Sequence, residues 1–397
     1  MHAPVEPDFM NVGAPMRVAL FIDSDVFAGT ERHMVELAGA LKVQASLVVS
    51  IACPSASPLN RLAHDLGLET VPVEKRGLVD VPAILLLRKL LATGRLDLIH
   101  AHNGRTALSA AVARRFAGRG SVVATQHFID PAHAGRVGLS AGFSRMAHRW
   151  VQRQTDQYIA VSQAAQKAMI EREGNLAGKV TVVPNGISAP DPAALVSPAE
   201  IRDRFGIPRD VLLIVCAARL NAEKGIATLI EAMGPVTAGV PGVRCVIAGD
   251  GPDREALEAQ IRKAPWGSQI LLAGFHKDAL SIINAADLFV LPSRAEPFGL
   301  VILEAMSLGK PVVSTAAGGP LEIVKPGETG LLVPPGNPAA MADAIITMLR
   351  NAGLRKSSGD NGLLRFQRQF TARAMAHATL RVYERAVHTP KFVVPGS

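Results

Sequence analysis

The sequence predicts an α/β protein built from two doubly wound parallel-sheet domains. Short runs of Val, Ile and Leu alternate with helical stretches from Met16 onward, and each run is apolar along its whole length. Such strands are buried on both faces, as in a parallel sheet with helices covering each side. A turn-rich stretch, Pro184 to Pro192, interrupts the alternation, which restarts at Val211. The chain's 397 residues also exceed what one hydrophobic core usually organises.

In the first half, strands are read at Arg17–Ile22, Ser46–Ile51, Leu96–His100, Ser121–Thr125, Gln157–Val161 and Lys179–Val183. Helices fall between them, among them Glu31–Leu41 and one around Leu59–Leu66. The second half gives strands at Val211–Cys216, Val243–Ala248, Gln269–Leu272, Leu288–Leu291 and Pro311–Ser314, and a last helix near Ala372–Val387. The expected organisation is a disordered segment 1–15, a Rossmann-like domain 16–188, a second Rossmann-like domain 189–371, and a C-terminal helix and tail, 372–397, returning to the first domain. Ligands of such sheets bind beyond the carboxyl ends of the strands.

No apolar run reaches the roughly 18 residues of a membrane span, and Met1–Pro15 lacks the basic-then-apolar order of a signal peptide. A cytoplasmic protein is expected. Cys53, Cys216 and Cys245 are widely spaced, the last two in strand-like runs where a small apolar side chain fits. No Cys/His group has zinc spacing. His100 and His102 are read as facing opposite ways and are not assigned to one ion.

The formal net charge is +8, and the part up to residue 190 is the more basic. There Arg114, Arg115, Arg119, Arg136, Arg145, Arg149 and Arg153 cluster with Asp130 as the only acid among them. This is an ordinary solvated surface or, with Leu139, Phe143, Met146 and Trp150 at helical spacing, a patch for anionic lipid or a phosphorylated acceptor. Aromatic residues make up 4% and no nucleic-acid-binding module is visible, so no nucleic acid partner is expected.

The most informative stretch is Glu296-Pro297-Phe298-Gly299-Leu300-Val301-Ile302-Leu303-Glu304-Ala305-Met306. Two acids bracket a Phe-Gly that opens an apolar helix just after a strand. A helix start offers unpaired N–H groups and partial positive charge, so Phe298, Gly299 and Leu300 suit a diphosphate. Four further segments accompany it: Phe27-Ala28-Gly29-Thr30-Glu31-Arg32; Val183-Pro184-Asn185-Gly186-Ile187; Ala218-Arg219-Leu220-Asn221-Ala222-Glu223-Lys224-Gly225; and Ala248-Gly249-Asp250-Gly251-Pro252. The opening stretch is followed by Ala317-Gly318-Gly319-Pro320-Leu321-Glu322-Ile323-Val324.

With these five motifs in order, the chain resembles the retaining nucleotide-sugar glycosyltransferases of family 4 (glycosyl transferases group 1), which have the two-domain GT-B fold. The resemblance covers almost all of residues 16–385. It departs at Ser188, where the family often carries Asp. It implies transfer from a UDP- or GDP-sugar to a glycan, polyprenyl-linked or lipid acceptor, at or near the inner face of a membrane.

Breaking a sugar–diphosphate bond leaves charge on the β-phosphate, which fixed cations must stabilise. Arg219 and Lys224 are the candidates, the first as a fork for two oxygens, the second as a point charge. They make a divalent metal unnecessary, and no cofactor is expected. By resemblance, Glu304 accepts from the ribose hydroxyls, Glu296 and His127 face the donor sugar, and the base lies against the turn carrying Phe275. Gly29 places backbone N–H groups near the diphosphate or acceptor. Asn185 and Gly186 shape the hinge. Retention is inferred from the family alone, with front-face substitution favoured because no residue matches a carboxylate nucleophile.

Other readings are weighed on the same residues. An oxidoreductase is disfavoured because Gly249-Asp250-Gly251-Pro252-Asp253-Arg254 has Arg254 where the dinucleotide fingerprint needs a third glycine. A sugar-nucleotide epimerase or phosphorylase on the same fold stays open, as does a non-catalytic glycan- or membrane-binding relative.

Overall fold

The computed structural model describes residues 14–74, 80–127, 139–173, 176 and 178–388. The expectations for residues 1–13, for Arg136, and for the side chains of Leu139, Phe143 and Arg145 lie outside them.

Two parallel sheets organise the chain. The first has seven strands in the order β3-β2-β1-β4-β5-β6-β7: β1 Met16–Phe21, β2 Leu47–Cys53, β3 Glu69–Pro72, β4 Leu98–Ala101, β5 Ser121–Gln126, β6 Gln157–Ala160 and β7 Val180–Val182. The second has six, in the order β10-β9-β8-β11-β12-β13: β8 Leu213–Ala217, β9 Arg244–Ala248, β10 Ile270–Gly274, β11 Leu288–Leu291, β12 Val312–Thr315 and β13 Gly330–Val333. The strands of both sheets follow the runs read from the sequence to within a few residues, but β3 and β13 were not read. Both are edge strands. β3 is exposed at both ends and only half-buried between them, and β13 is buried only at its ends, so neither shows a continuous apolar run.

By packing, the described residues form two compact units. The first comprises those up to Ala124, Arg153–Asp156 and those from Arg385; the second comprises Thr125–Gln152 and Gln157–Glu384. In the first unit Ala19, Phe21, Ile99 and Val122 meet Leu87 and Leu91 of helix α3 (Val81–Ala92) in one cluster. Ser121 Oγ donates to Ala386 O at 3.1 Å, which ties the end of the last helix, α15 (Ala372–His388), to β5 in that unit.

In the second unit one face of the six-stranded sheet packs Val215, Phe289 and Leu291 against Ile302, Leu303 and Met306 of α11 (Leu300–Ser307). The other packs Ile214, Cys216 and Val290 against α8 (Ile226–Gly239) and α13 (Pro338–Arg350). Tyr383, on α15, is fully buried, and burial alone raises its pKa well above the phenol's usual value.

The strand order of each sheet reverses once, between β1 and β4 in the first and between β8 and β11 in the second. Loops leaving the carboxyl ends on either side of such a reversal part in opposite directions and open a crevice. In the second sheet those are the loops after β8 and β11, the two that carry Arg219, Lys224 and Glu296.

Candidate functional site

The loop after β8 is built around Asn221 and Gly225. Asn221 Oδ1 accepts from Lys224 N–H at 3.2 Å and caps a single 3₁₀ turn, Ala222–Lys224. Gly225 follows at φ 62°, in the left-handed region, and opens α8. A Cβ there would sit 2.2 Å from Pro292 O of the loop after β11. The motif glycine is therefore needed both for its conformation and for loop-on-loop packing. Gly249 and Gly251 behave alike, since a Cβ on either would meet Ala218 O or Leu220 O at 1.9 or 2.2 Å.

This packing brings Lys224 to Glu296, 72 residues later. Lys224 Nζ lies 2.7 Å from Glu296 Oε2, with the side chains 23% and 9% exposed. Ser293 Oγ donates to the same carboxylate oxygen at 3.1 Å. The Glu296 main chain is held from the other side by the loop after β12, where Gly319 N–H donates to Glu296 O at 2.9 Å. A Cβ on Gly318 would stand 2.4 Å from Glu296 O, and one on Gly319 would stand 2.2 Å from Phe298 Cα. The Gly-Gly pair thus exists to let two backbones touch.

Gly299 caps α11 at φ 105° without a side-chain partner. Ile302 N–H already bonds Gly299 O at 2.9 Å. Leu300 and Val301 precede it, and helix geometry leaves their N–H groups without intrahelical acceptors. Phe298 supplies main chain only. Its ring is buried against Phe370, centroids 6.3 Å apart. Glu304, one turn into α11, is also buried, at 5% exposure. Arg219 stays exposed beside the Lys224 turn. Phe275, after β10, is 73% exposed, while its neighbour His276 is fixed by Ala273 O at 3.0 Å and by an edge contact with Phe205.

The remaining sequence candidates lie on the first sheet. Gly29 opens α1 (Gly29–Lys42) and is exposed, with nothing within 4 Å of where a Cβ would stand. The Glu of that motif has a local purpose, because Glu31 Oε2 accepts from Ala28 N–H at 2.8 Å and holds the turn. His127 follows β5 directly and is buried, at 8% exposure.

His100 and His102 do not face opposite ways. Their ring centroids are 4.2 Å apart, and His33 of α1 lies 5.5 Å from His102. Residues two apart along a strand share a face, so the strand's alternation places these two rings side by side. Burial, and then neighbouring His33, lower the His100 pKa well below 6.5.

Two features were missed in the sequence. Asp23-Ser24-Asp25 has the Asp-x-Asp spacing of metal-dependent sites, yet Asp23 is engaged by Arg105 Nε at 2.9 Å and Asn103 Nδ2 at 2.7 Å. The basic cluster also loses a member to structure. Arg114 pairs with Asp156 at 3.0 Å and donates to Gly120 O at 3.2 Å.

The profile described as Glycosyl transferases group 1 matches residues 198–365, and that of Glycosyltransferase Family 4 matches 27–189. Glycogen synthase of Mycobacterium tuberculosis is 30% identical over 388 residues, spanning 90% of this chain and 91% of that protein. The chain belongs to the group 1 glycosyltransferase family. Phosphatidyl-myo-inositol mannosyltransferase of the same organism is 29% identical over 378 residues, covering 91% of the chain and 94% of the relative. Among solved structures, Anabaena HepE in complex with UDP and glucose superposes with a TM-score of 0.78 at 24% identity, over 93% of this chain and 99% of that one. A Rickettsia africae glycosyltransferase gives 0.82 at 19% identity, over 95% and 100%. These structures share its GT-B fold. Among the described residues of this glycosyltransferase, no helix is long and apolar enough to cross a membrane.

Proposed function

We propose that this glycosyltransferase moves a sugar from a UDP- or GDP-sugar to a hydroxyl of a glycan, polyprenyl-linked or lipid acceptor in polysaccharide or glycolipid biosynthesis. The observation that carries the reading is the meeting of Lys224, Glu296 and the start of α11 at the strand-order reversal of the second sheet. There a cation, a buried acid and uncommitted helix N–H groups converge, the set that a sugar diphosphate requires.

In this reading the diphosphate lies on the N–H groups of Leu300 and Val301, with the exposed Arg219 and Lys224 neutralising the leaving β-phosphate. Glu304 accepts from the ribose hydroxyls, Phe275 stacks on the base, and Glu296 orients the donor sugar. His127 and Gly29 are assigned to the sugar and to the diphosphate or acceptor. Lys224 has a second task beyond phosphate charge: its ion pair holds the Glu296 carboxylate aimed. Transfer proceeds with retention by front-face substitution. The C1–O bond to the β-phosphate breaks as the acceptor oxygen attacks from the same face, and the departing phosphate takes the hydroxyl proton. No divalent metal takes part. The enzyme works in the cytoplasm, at the inner membrane face when the acceptor is lipid-linked.

The relatives support the donor class and the breadth of acceptors. HepE was solved with UDP and with UDP-glucose, and the names of two relatives point to glycogen and to phosphatidyl-myo-inositol. The test is a thermal-shift panel of nucleoside diphosphates and their sugars, followed by product analysis with and without acceptors. A ligand at 100 times its Kd stabilises by about 2.7 kcal/mol. Transfer to an acceptor is the expected result. An epimerised sugar nucleotide without acceptor, or release of a sugar phosphate, would replace this reading with the epimerase or phosphorylase.

A further inference from the structure

Helix α6 (Gln163–Glu173) in the second unit starts from Ser162, which is fully buried. A helix start leaves its first N–H groups without intrahelical acceptors. Here three of them have partners, and two of the three are met by one residue far away in sequence, Glu322. Gln163 and Ala164 N–H donate to the two oxygens of Glu322 at 2.9 and 3.1 Å, and Ala165 N–H donates to Ser162 Oγ at 3.0 Å. The Ser162 hydroxyl spends its own hydrogen on Pro297 O at 3.3 Å.

Both partners lead to the same place. Pro297 is the residue between Glu296 and Phe298. Glu322 lies in the short helix α12 (Pro320–Ile323), directly after the Gly-Gly pair that touches this loop. Glu322 N–H donates to Gly319 O, and Gly319 N–H donates to Glu296 O, each at 2.9 Å. Arg365 clamps the other side of α12, donating to Glu322 O at 2.7 Å and Ile323 O at 2.8 Å. Helix α6 therefore reaches the Glu296–Phe298 main chain by two routes, one through Pro297 O and one through Glu322 and Gly319. An ordinary cap from Ser162 alone would need neither the Pro297 contact nor a carboxylate 159 residues from Gln163.

We infer that Ser162 and Glu322 are positioning residues that fix the Glu296–Phe298 main chain against the start of α6. The catalytic consequence rests on the donor site proposed above. When these ties are cut, Glu296 loses its fixed placement, while α11 with its first N–H groups and Glu304, and Phe275 after β10, which hold the nucleotide in that reading, keep theirs.

The experiment uses the full chain with Ser162→Ala, Ser162→Thr and Glu322→Gln. Hydrogen exchange of residues 293–302 is read without any ligand, and kcat and donor KM are read with the best sugar nucleotide. Ser162→Ala and Glu322→Gln should speed exchange in that segment about tenfold, with β8 and β12 unchanged. They should lower kcat about tenfold with donor KM within about threefold, and Ser162→Thr should restore both. Unchanged exchange in that segment overturns the inference, as does faster exchange spread evenly over the unit. A wild type that transfers no sugar refutes the proposed function instead, and the exchange measurement still decides the positioning claim.

Discussion

Lys224 Nζ and Glu296 Oε2 lie 2.7 Å apart although 72 residues separate them, and the Glu296 carboxylate, which also accepts from Ser293 Oγ, is almost wholly buried. Removing one partner of a buried pair leaves the other charge uncompensated. Lys224 is about a quarter exposed, so solvent takes up part of that cost. Lys224→Met and Glu296→Gln should each destabilise by about 1–3 kcal/mol in urea denaturation. The double variant should cost clearly less than the two together, since it leaves no lone charge. Turnover should fall on the order of a hundredfold in Glu296→Gln. Additive stabilities would show that the pair is not coupled.

In the proposed reading Arg219 and Lys224 neutralise the leaving phosphate and no divalent ion takes part. Activity should survive excess EDTA unchanged. A complete loss in EDTA that Mg²⁺ or Mn²⁺ restores would refute metal-free transfer.

The histidine group on the first sheet predicts an acid sensitivity. His100 is fully buried among His33 and His102 and stays neutral in the fold well below pH 6.5, whereas the unfolded chain protonates it near 6.5. Below that pH the unfolded state binds more protons, so stability falls with pH. The Tm should drop by roughly 2–4 °C per pH unit below about 6, and His100→Gln should flatten the slope. An equal slope in the variant would assign the sensitivity elsewhere.

All three cysteines are free and buried. Burial raises the Cys53 thiol and pushes Cys216 up to about 12 despite the Lys224 charge. Burial, with Cys216 adding to it, pushes Cys245 higher still. A thiol reagent at pH 8 should therefore label none of them in the native protein and all three in denaturant. Rapid labelling of the native chain would contradict their place in the core.

The parallel sheets were legible in the sequence because their central strands are buried on both faces and read as unbroken apolar runs. The edge strands Glu69–Pro72 and Gly330–Val333 were not, since a half-exposed strand of four residues leaves no such run. At the site, the motif glycines announced tight loops. Only the structure gave the reason: Gly225, Gly249, Gly251 and Gly319 each lie where a Cβ would collide with the next loop's backbone. The Lys224–Glu296 pair and the Ser162–Pro297 contact carry no sequence signal, because pairing across 72 or 135 residues follows from strand order rather than spacing. The histidines were misread through a wrong use of strand alternation.

The central claim is that the start of α11, with Glu304 behind it, holds a nucleoside diphosphate. Calorimetric titration of UDP and GDP into the wild type and Glu304→Ala tests it most directly. One nucleotide should bind the wild type and bind Glu304→Ala at least about tenfold more weakly, the loss of roughly one charge-assisted hydrogen bond to a ribose hydroxyl. No binding of either nucleotide to a folded wild type, or equal binding to both proteins, would contradict it.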